Sequence, residues 1–566
     1  MLKTKRTLNP ALPVALAIGL GAQFSPAFSQ FSAPPPPPPP AGNPITVNKA
    51  LLGKVLFWDE QLSATGTAAC ATCHIPTAGG SDPRSVPNAN STHPGADGFF
   101  GTADDIVGSI GVPASLPNGR YSLNGDFGLD PQVTSRKAQT VINAVYSPLL
   151  QFWDGRAEEV FLDPISGAVV LAAGAALESQ AAGPVDSGVE MGHLGTNWPG
   201  VVNRITSANP MDLAVSMPAD MATFVAGRTY PQLFTLAFGT NQVTAARICM
   251  AIATYERTLV GATAPFDTFI GNSPPGAPPQ NPGALTQQER AGFQIFNGPG
   301  RCNVCHNGPI FSDNDFHYTG VRPVNEDLGR FVVDGLPGHR GSMKTPSLRN
   351  VELRGPFFHN GRFGTLEEVV EFYNRGGDFD APNKAPAVQP LGLSPGQRAA
   401  LVAFLKRPLT DVRVRDGLPP FDSPTLFTQS MNAADSYGIG TPGTDGFVPE
   451  MYAIEPPKIG NDNMTVGITG ALAGRMAILG MDPVPDFAGT PITGTMFHIG
   501  LSSSLSIKRI PVLNGSGAGN GWGSVIVNVP NDTALIGTTL YAQWFVLDNG
   551  SGARFAASDA IAISWY

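Results

Sequence analysis

Two five-residue stretches carry the chemistry expected of this chain: Cys70-Ala71-Thr72-Cys73-His74 and Cys302-Asn303-Val304-Cys305-His306. Both read C-x-x-C-H, the spacing at which two thiols form thioether bonds to the vinyl groups of one porphyrin. The adjoining imidazole, His74 or His306, then meets the iron as its proximal ligand. A bare redox dithiol or half of a zinc site would show such a cysteine pair once. Here the motif occurs twice, each time followed by histidine, in a chain of only five cysteines. A structural zinc would need its thiolates and imidazoles clustered tetrahedrally, whereas each pair is already complete as a haem site. The two motifs therefore predict two covalently bound c-type haems. The fifth cysteine, Cys249, lies in Ala246-Arg247-Ile248-Cys249-Met250-Ala251 and reads as a buried small hydrophobe.

Each motif needs a helix ahead of it. Residues 49–58 read as a helix leading into Asp59-Glu60-Gln61-Leu62-Ser63 and the first motif. Leu285-Thr286-Gln287-Gln288-Glu289 opens another, with Thr286 and Glu289 at capping-box spacing, and runs into the second motif. Helical patterns return over 138–145, 156–162 and 245–259. Residues 75–135 are rich in Gly, Pro, Asp and Ser and predict mostly loop. The acids of Asp97–Asp105 fail the EF-hand spacing and predict a surface turn. Over residues 451–566, short apolar runs (525–529, 540–547, 560–565) broken by Gly, Asn and Pro predict an antiparallel β-sandwich. The two haem segments read as distant copies of one unit, without the extended similarity of a repeat array.

Composition sets the outer bounds. With 42% hydrophobic residues the chain can fill several cores, while 66 Gly and 54 Pro predict much loop and short strand. A net charge of −9 argues against nucleic acid, which needs a basic surface. Residues 1–29 combine Lys3, Lys5 and Arg6, an apolar run over 11–21 and a small-residue exit at Ala27-Phe28-Ser29. They read as a secretory signal peptide cleaved near Ser29, which makes the mature protein periplasmic or otherwise exported. No apolar run reaches the ~20 residues needed to cross a bilayer. Pro34 to Pro40 is an unbroken proline run and predicts a stiff polyproline spacer.

Beyond the haem motifs, the chain resembles the bacterial di-haem cytochrome c peroxidase and MauG family. The stretches that carry the resemblance are Leu52-Gly53-Lys54-Val55-Leu56-Phe57, Phe152-Trp153-Asp154-Gly155-Arg156-Ala157 and Tyr255-Glu256-Arg257-Thr258-Leu259. Lys344-Thr345-Pro346-Ser347-Leu348-Arg349-Asn350, Pro356-Phe357-Phe358-His359-Asn360-Gly361 and Thr365-Leu366-Glu367-Glu368 complete the set. The resemblance covers roughly residues 48–409 and implies a mainly α fold: two cytochrome-c-like helical haem domains, followed by the C-terminal β-sandwich-like domain. The expected boundaries are a signal peptide at 1–29, a Pro-rich linker at 30–43 and an N-terminal, peroxidatic haem domain at 44–272. A second linker at 273–284, a C-terminal, electron-transfer haem domain at 285–425 and a β-rich accessory domain at 440–566 follow.

The resemblance also implies roles. An indole at Trp153 would lie between the porphyrins and shorten the tunnelling gap between the irons. Glu190 and Gln180 match the distal pair, Glu190 as the acid–base that moves a proton between peroxide oxygens and Gln180 as the group that orients peroxide. An Ala/Gly/Val-rich insertion around 166–176 departs from the family pattern there. His93 is the one nearby imidazole that could close the first iron. In Thr92-His93-Pro94-Gly95 it reads as an exposed loop residue, so an open first site is expected. Thr365 and Glu368 form a second capping box, and Leu366, Val369, Val370 and Tyr373 fall on one helical face. Tyr373 thus points inward, either as a core tyrosine or, by the resemblance to MauG, as axial ligand of the second iron; Met343 is the alternative ligand. A hard, anionic phenolate would favour high-valent iron, where the Met of the peroxidases favours the reduced state. The family's inter-haem calcium uses an Asn after Arg; here Arg136 precedes Lys137, whose ammonium cannot ligate calcium, and none is expected at that position.

Three functions follow. The first is a peroxidase that reduces hydrogen peroxide at the His74 haem with electrons from a small donor protein through the His306 haem. The second is a MauG-like enzyme that oxidises residues of a protein substrate. The third is a non-catalytic di-haem electron carrier, which would need both irons closed by strong ligands.

Overall fold

The computed structural model describes residues 35–273, 278–430, 433–461, 463–550 and 552–566. The expected signal peptide and residues 274–277 of the second linker lie outside the described residues.

The first core is built on a helix pair. Val47–Trp58, capped by the Thr46 side chain on the Lys49 N–H, packs along Ala245–Glu256, and Ala176–Asp186 packs on the same partner. The second core repeats the arrangement. Gln287–Asn297 packs along Pro395–Leu405, with Leu366–Asn374 beside them. Both pairs cross at a glycine where no side chain fits. A Cβ on Gly53 would stand 1.9 Å from the Ala251 carbonyl oxygen, and one on Gly292 would stand 1.9 Å from that of Ala400. Each missing side chain lets two helices approach closely, and in both cores the glycine lies on the helix that precedes a C-x-x-C-H motif.

The chain passes between the cores more than once. Phe266, Phe269 and Ile270 belong to the second core, while Val414, Phe421 and Leu426 return to the first. Two buried charged groups of the first helix and the turn after it, Lys54 and Glu60, hold the returning segment. Lys54 pairs with Asp220 and Asp422, both at 3.0 Å, and Glu60 accepts the Phe427 N–H at 2.8 Å and the Thr428 hydroxyl at 2.5 Å. Arg136 spans the two haem-bearing halves, with Asp154 at 2.7 Å and Asp327 at 2.6 Å.

The C-terminal region consists of antiparallel sheets. One has five strands in the order Asp435–Tyr437, Ala556–Ser564, Thr539–Val546, Ala477–Asp482, Ser506–Ile510. Beside a two-stranded ladder of Pro485–Ile492 and Thr495–Ile499, a further sheet has three strands, in the order Glu450–Tyr452, Met464–Ala471, Gly521–Val527, and faces the five-stranded one. A shared core that includes Val466, Ile468, Leu479, Trp544 and Ile563 lies between them.

The expected mainly α fold is not what the chain adopts: 28% of residues are helical and 19% lie in strands. Besides the C-terminal sheets, the haem-bearing region holds two-stranded ladders where helix was predicted. Residues 156–162 contain strand Ala157–Glu158, paired with Leu150–Gln151, and strand Phe161–Leu162, paired with Val169–Leu171. Residues 138–145 hold only the start of a single turn at Ala144–Tyr146. The apolar spacing there serves turns that face the cavities, and tertiary contacts override local propensity.

Candidate haem sites and the chamber between them

The first motif forms a short helix, Cys70–Cys73, ending at His74. Its thiols and imidazole line a cavity of about 640 Å³. His74 Nδ1 lies 3.2 Å from the Gly80 carbonyl oxygen. A carbonyl only accepts, so Nδ1 carries the proton and Nε2 keeps its lone pair for a metal. The second motif does the same: Cys302, Cys305 and His306 line another cavity, and His306 Nδ1 donates to the Phe311 carbonyl at 2.9 Å. Burial keeps both imidazoles neutral by lowering their pKa values. No disulfide joins the four motif cysteines, so all four sulfurs are available for thioether bonds. Paired thiols at a cavity wall with an adjacent acceptor nitrogen fit a covalent porphyrin twice over.

Gln180, from helix Ala176–Asp186, and Glu190 both line the first cavity, together with Phe152, Pro184 and Arg156. Burial raises the Glu190 carboxyl above its ordinary value, while the Ser187 hydroxyl and the Arg156 charge oppose that rise. Arg156 lies 3.6 Å over the Phe152 ring and pairs with Asp154 at 3.1 Å. No local pattern assigns Arg156 a role; the turn geometry brings it to this wall. Glu256, in the stretch that carried the resemblance, also reaches the cavity. Its Oε2 is buried without a hydrogen-bond partner, and burial raises the group to about 8.

His93 departs from the exposed loop expected of it. Strand Thr92–His93 pairs with Ile106–Val107 and holds the half-buried ring at the wall of the first cavity, 6.0 Å from the Phe127 ring. The sequence around it lacks strand alternation, because the ladder is only two residues long.

In the second cavity, Tyr373 comes from helix Leu366–Asn374, whose capping box forms as the sequence predicts. Its ring is 5.0 Å from Phe372 and 6.0 Å from Phe358. Burial raises its phenol well above the ordinary value. Met343 lines the same cavity from strand Met343–Lys344.

Trp153 borders both cavities. Its indole N–H donates to the Lys137 carbonyl at 2.8 Å, its own carbonyl accepts the Lys344 N–H at 2.7 Å, and its ring centroid lies 6.1 Å from that of His359. A third, small cavity of about 100 Å³ touches Trp153 as well and shares walls with each haem cavity. At this chamber the Lys137 ammonium donates to the Ser81 hydroxyl at 2.6 Å and to the Arg354 carbonyl at 3.1 Å.

These features define a c-type protein with two haem sites, each on its own helical core. The family model described as "Di-haem cytochrome c peroxidase" matches residues 47–274. The methylamine utilization protein MauG of Methylorubrum extorquens is 30% identical over 67% of this chain and 83% of its own. Cytochrome c551 peroxidase of Nitrosomonas europaea is 31% identical over 66% of this chain and 85% of its own. A solved MauG-like protein associated with microbial copper homeostasis is 24% identical over 69% of this chain and 98% of its own, with a TM-score of 0.47. The chain belongs to the di-haem cytochrome c peroxidase and MauG family; it is an oxidoreductase carrying two c-type haems. Among the described residues no helix is long and apolar enough to cross a membrane.

Proposed function

We propose that this protein reduces hydrogen peroxide at the His74 haem, with electrons delivered from a small donor protein through the His306 haem and Trp153. In this reading residues 44–272 form the peroxidatic domain and 285–425 the electron-transfer domain, both exported to the periplasm after cleavage near Ser29. One observation carries it: Trp153 borders both haem cavities, while Gln180 and Glu190 border only the first. The haem iron supplies the redox centre for O–O cleavage; two electrons and two protons convert one peroxide into two waters. The chain's part is proton handling and orientation. The buried Glu190 carboxylate, whose hold on a proton is strengthened by burial, takes a proton from one peroxide oxygen and returns it to the other. The Gln180 amide orients peroxide beside it. Trp153, fixed by backbone hydrogen bonds on both sides, keeps an oxidisable ring between the two sites.

The test is a peroxide titration of the fully loaded protein over a range of starting redox states, with bound haem counted by mass spectrometry. The reading expects two haems per chain and spectral changes complete at one peroxide per two electrons withdrawn. Fewer than two haems, or a spectrum indifferent to peroxide in every redox state, would contradict it.

A second reading is supported by Tyr373, which lines the second cavity with His306. With phenolate ligation there, the enzyme would be MauG-like and draw electrons from residues of a protein substrate. In that case Tyr373→Phe changes the low-spin ferric spectrum and Met343→Leu does not; the opposite pattern removes this reading.

A further inference from the structure

The small chamber between the haem cavities is lined by three cationic side chains and no acid. Lys137 and Lys344 are 4% and 6% exposed, and Arg354 joins them; among the described residues none that borders the chamber is acidic. Every hydrogen bond from these three charged groups goes to a neutral oxygen. Lys137 uses the Ser81 hydroxyl and the Arg354 carbonyl, Lys344 the Ser147 hydroxyl and the Leu150 carbonyl, both at 2.9 Å, and Arg354 the Ser347 carbonyl. Arg354 Nε is buried with no partner. Asp82, whose charge reaches Lys137, is already engaged by Arg84 at 3.0 Å. Hydroxyls and carbonyls satisfy donors, but they do not neutralise charge. Burying unpaired cations is costly: burial lowers Lys344 to about 7 and Lys137 to about 8, and a counter-anion among the three groups would keep both ammoniums charged.

We infer that the chamber is an anion site in which Lys137, Lys344 and Arg354 hold carboxylate or oxyanion groups between the two haems. The chamber shares Lys137, Gln139 and Thr140 with the first haem cavity and Lys344, Val351 and Phe358 with the second. Porphyrins held in the two cavities would supply carboxylates of this kind as their propionate side chains; a free oxyanion would present the same chemistry. The polar remainder of the wall, Gln151, Asn314 and Thr140 among it, supplies further donors. Burial pushes Lys137 down to about 8, the direction expected of a cation lacking its partner, and a bound anion would reverse that push. The same two lysines clamp Trp153 through their backbones. The inference rests on two bound haems and not on which electron source the enzyme uses.

The test uses the loaded holoprotein and does not read activity. Midpoint potentials of both haems are measured by spectroelectrochemical titration for wild type, Lys137→Met, Lys137→Arg and Lys344→Met. Losing one positive charge beside the anion favours the ferric state. At fixed ambient potential the ferric-to-ferrous ratio of at least one haem should rise about tenfold in each Met variant, which is about 59 mV for a one-electron couple. Lys137→Arg should restore the wild-type value. Two further measurements distinguish the sources: the propionate bending modes in the resonance Raman spectra of wild type and Lys137→Met, and the wild-type potentials in the presence of chloride or inorganic phosphate at constant ionic strength. Propionate modes that differ between wild type and Lys137→Met, with no effect of added anions, assign the site to the haem carboxylates. Unmoved modes with saturable shifts on adding phosphate assign it to a free oxyanion. Met variants that keep both haems and both potentials, together with a wild type indifferent to anions, would overturn the inference.

Discussion

The two haem sites share a scaffold and differ in their walls. In each, a helix crosses a partner at a glycine that leaves no room for a Cβ, a C-x-x-C-H motif follows, and the histidine's Nδ1 is tied to a nearby backbone carbonyl. Beyond that the cavities diverge. The first is roomy, at about 640 Å³, and is bordered by Gln180, Glu190, Arg156, Glu256 and His93. The second is about 200 Å³, with a wall rich in Phe, Leu and Val and with Tyr373 and Met343 inside it. Attachment is thus a property of the repeated helix pair, whereas reactivity depends on turns and loops unique to each half. Gln180, Glu190 and Glu256 border the first cavity and not the second, and that asymmetry supports a division of labour between the two haems.

The sharpest way to break the comparison is Glu190→Gln, which removes the acid–base from the first site and touches nothing in the second. The peroxide reaction should slow by about 10²–10³-fold in stopped-flow measurements while the second haem's spectrum stays unchanged. An unaltered rate would remove Glu190 from the mechanism. The shared scaffold can be probed by Gly53→Ala and Gly292→Ala. Each forces a methyl to within 1.9 Å of a carbonyl oxygen, so each should cost about 1–3 kcal/mol or more in chemical denaturation, with haem retention falling at its own site only. His93→Ala asks whether the imidazole now seen at the first cavity wall closes that site. If it does, the resting ferric spectrum changes and peroxide reacts without prior reduction; if the site is already open, neither changes.

The smallest effect concerns pH. Burial raises Glu256 to about 8 from the ordinary 4.5, so the folded protein binds a proton there that the unfolded chain releases. Such a group stabilises most at low pH, and that contribution is lost as pH rises from about 4.5 through about 8. Thermal stability should therefore fall over this window, and Glu256→Gln should flatten part of the fall. Glu60, raised to about 7, and Glu455, raised to about 8, contribute in the same direction and leave a residual slope.

The haem attachment residues were legible because C-x-x-C-H is a local pattern whose spacing alone fixes the chemistry. The capping boxes at Thr286–Glu289 and Thr365–Glu368 were legible for the same reason, and both form in the structure. The C-terminal runs 525–529, 540–547 and 560–565 overlap strands Gly521–Val527, Thr539–Val546 and Ala556–Ser564, since apolar runs punctuated by turn residues report strands directly. The walls of the cavities were harder to read. Residues 156–162 carry a helix-like spacing but are held in ladders by partners at 150–151 and 169–171. Arg156, Glu256 and the cluster of Lys137, Lys344 and Arg354 are brought together only by tertiary contacts between segments far apart in the chain, which no local pattern records.

The account's central claim is that Trp153 couples a peroxide-reactive haem to an electron-delivering one. Rapid mixing of the di-haem protein with peroxide, comparing wild type with Trp153→Phe, tests it most directly. The predicted result is an unchanged bimolecular reaction at the first haem followed by a slowed spectral response of the second. Identical kinetics at both haems would contradict it.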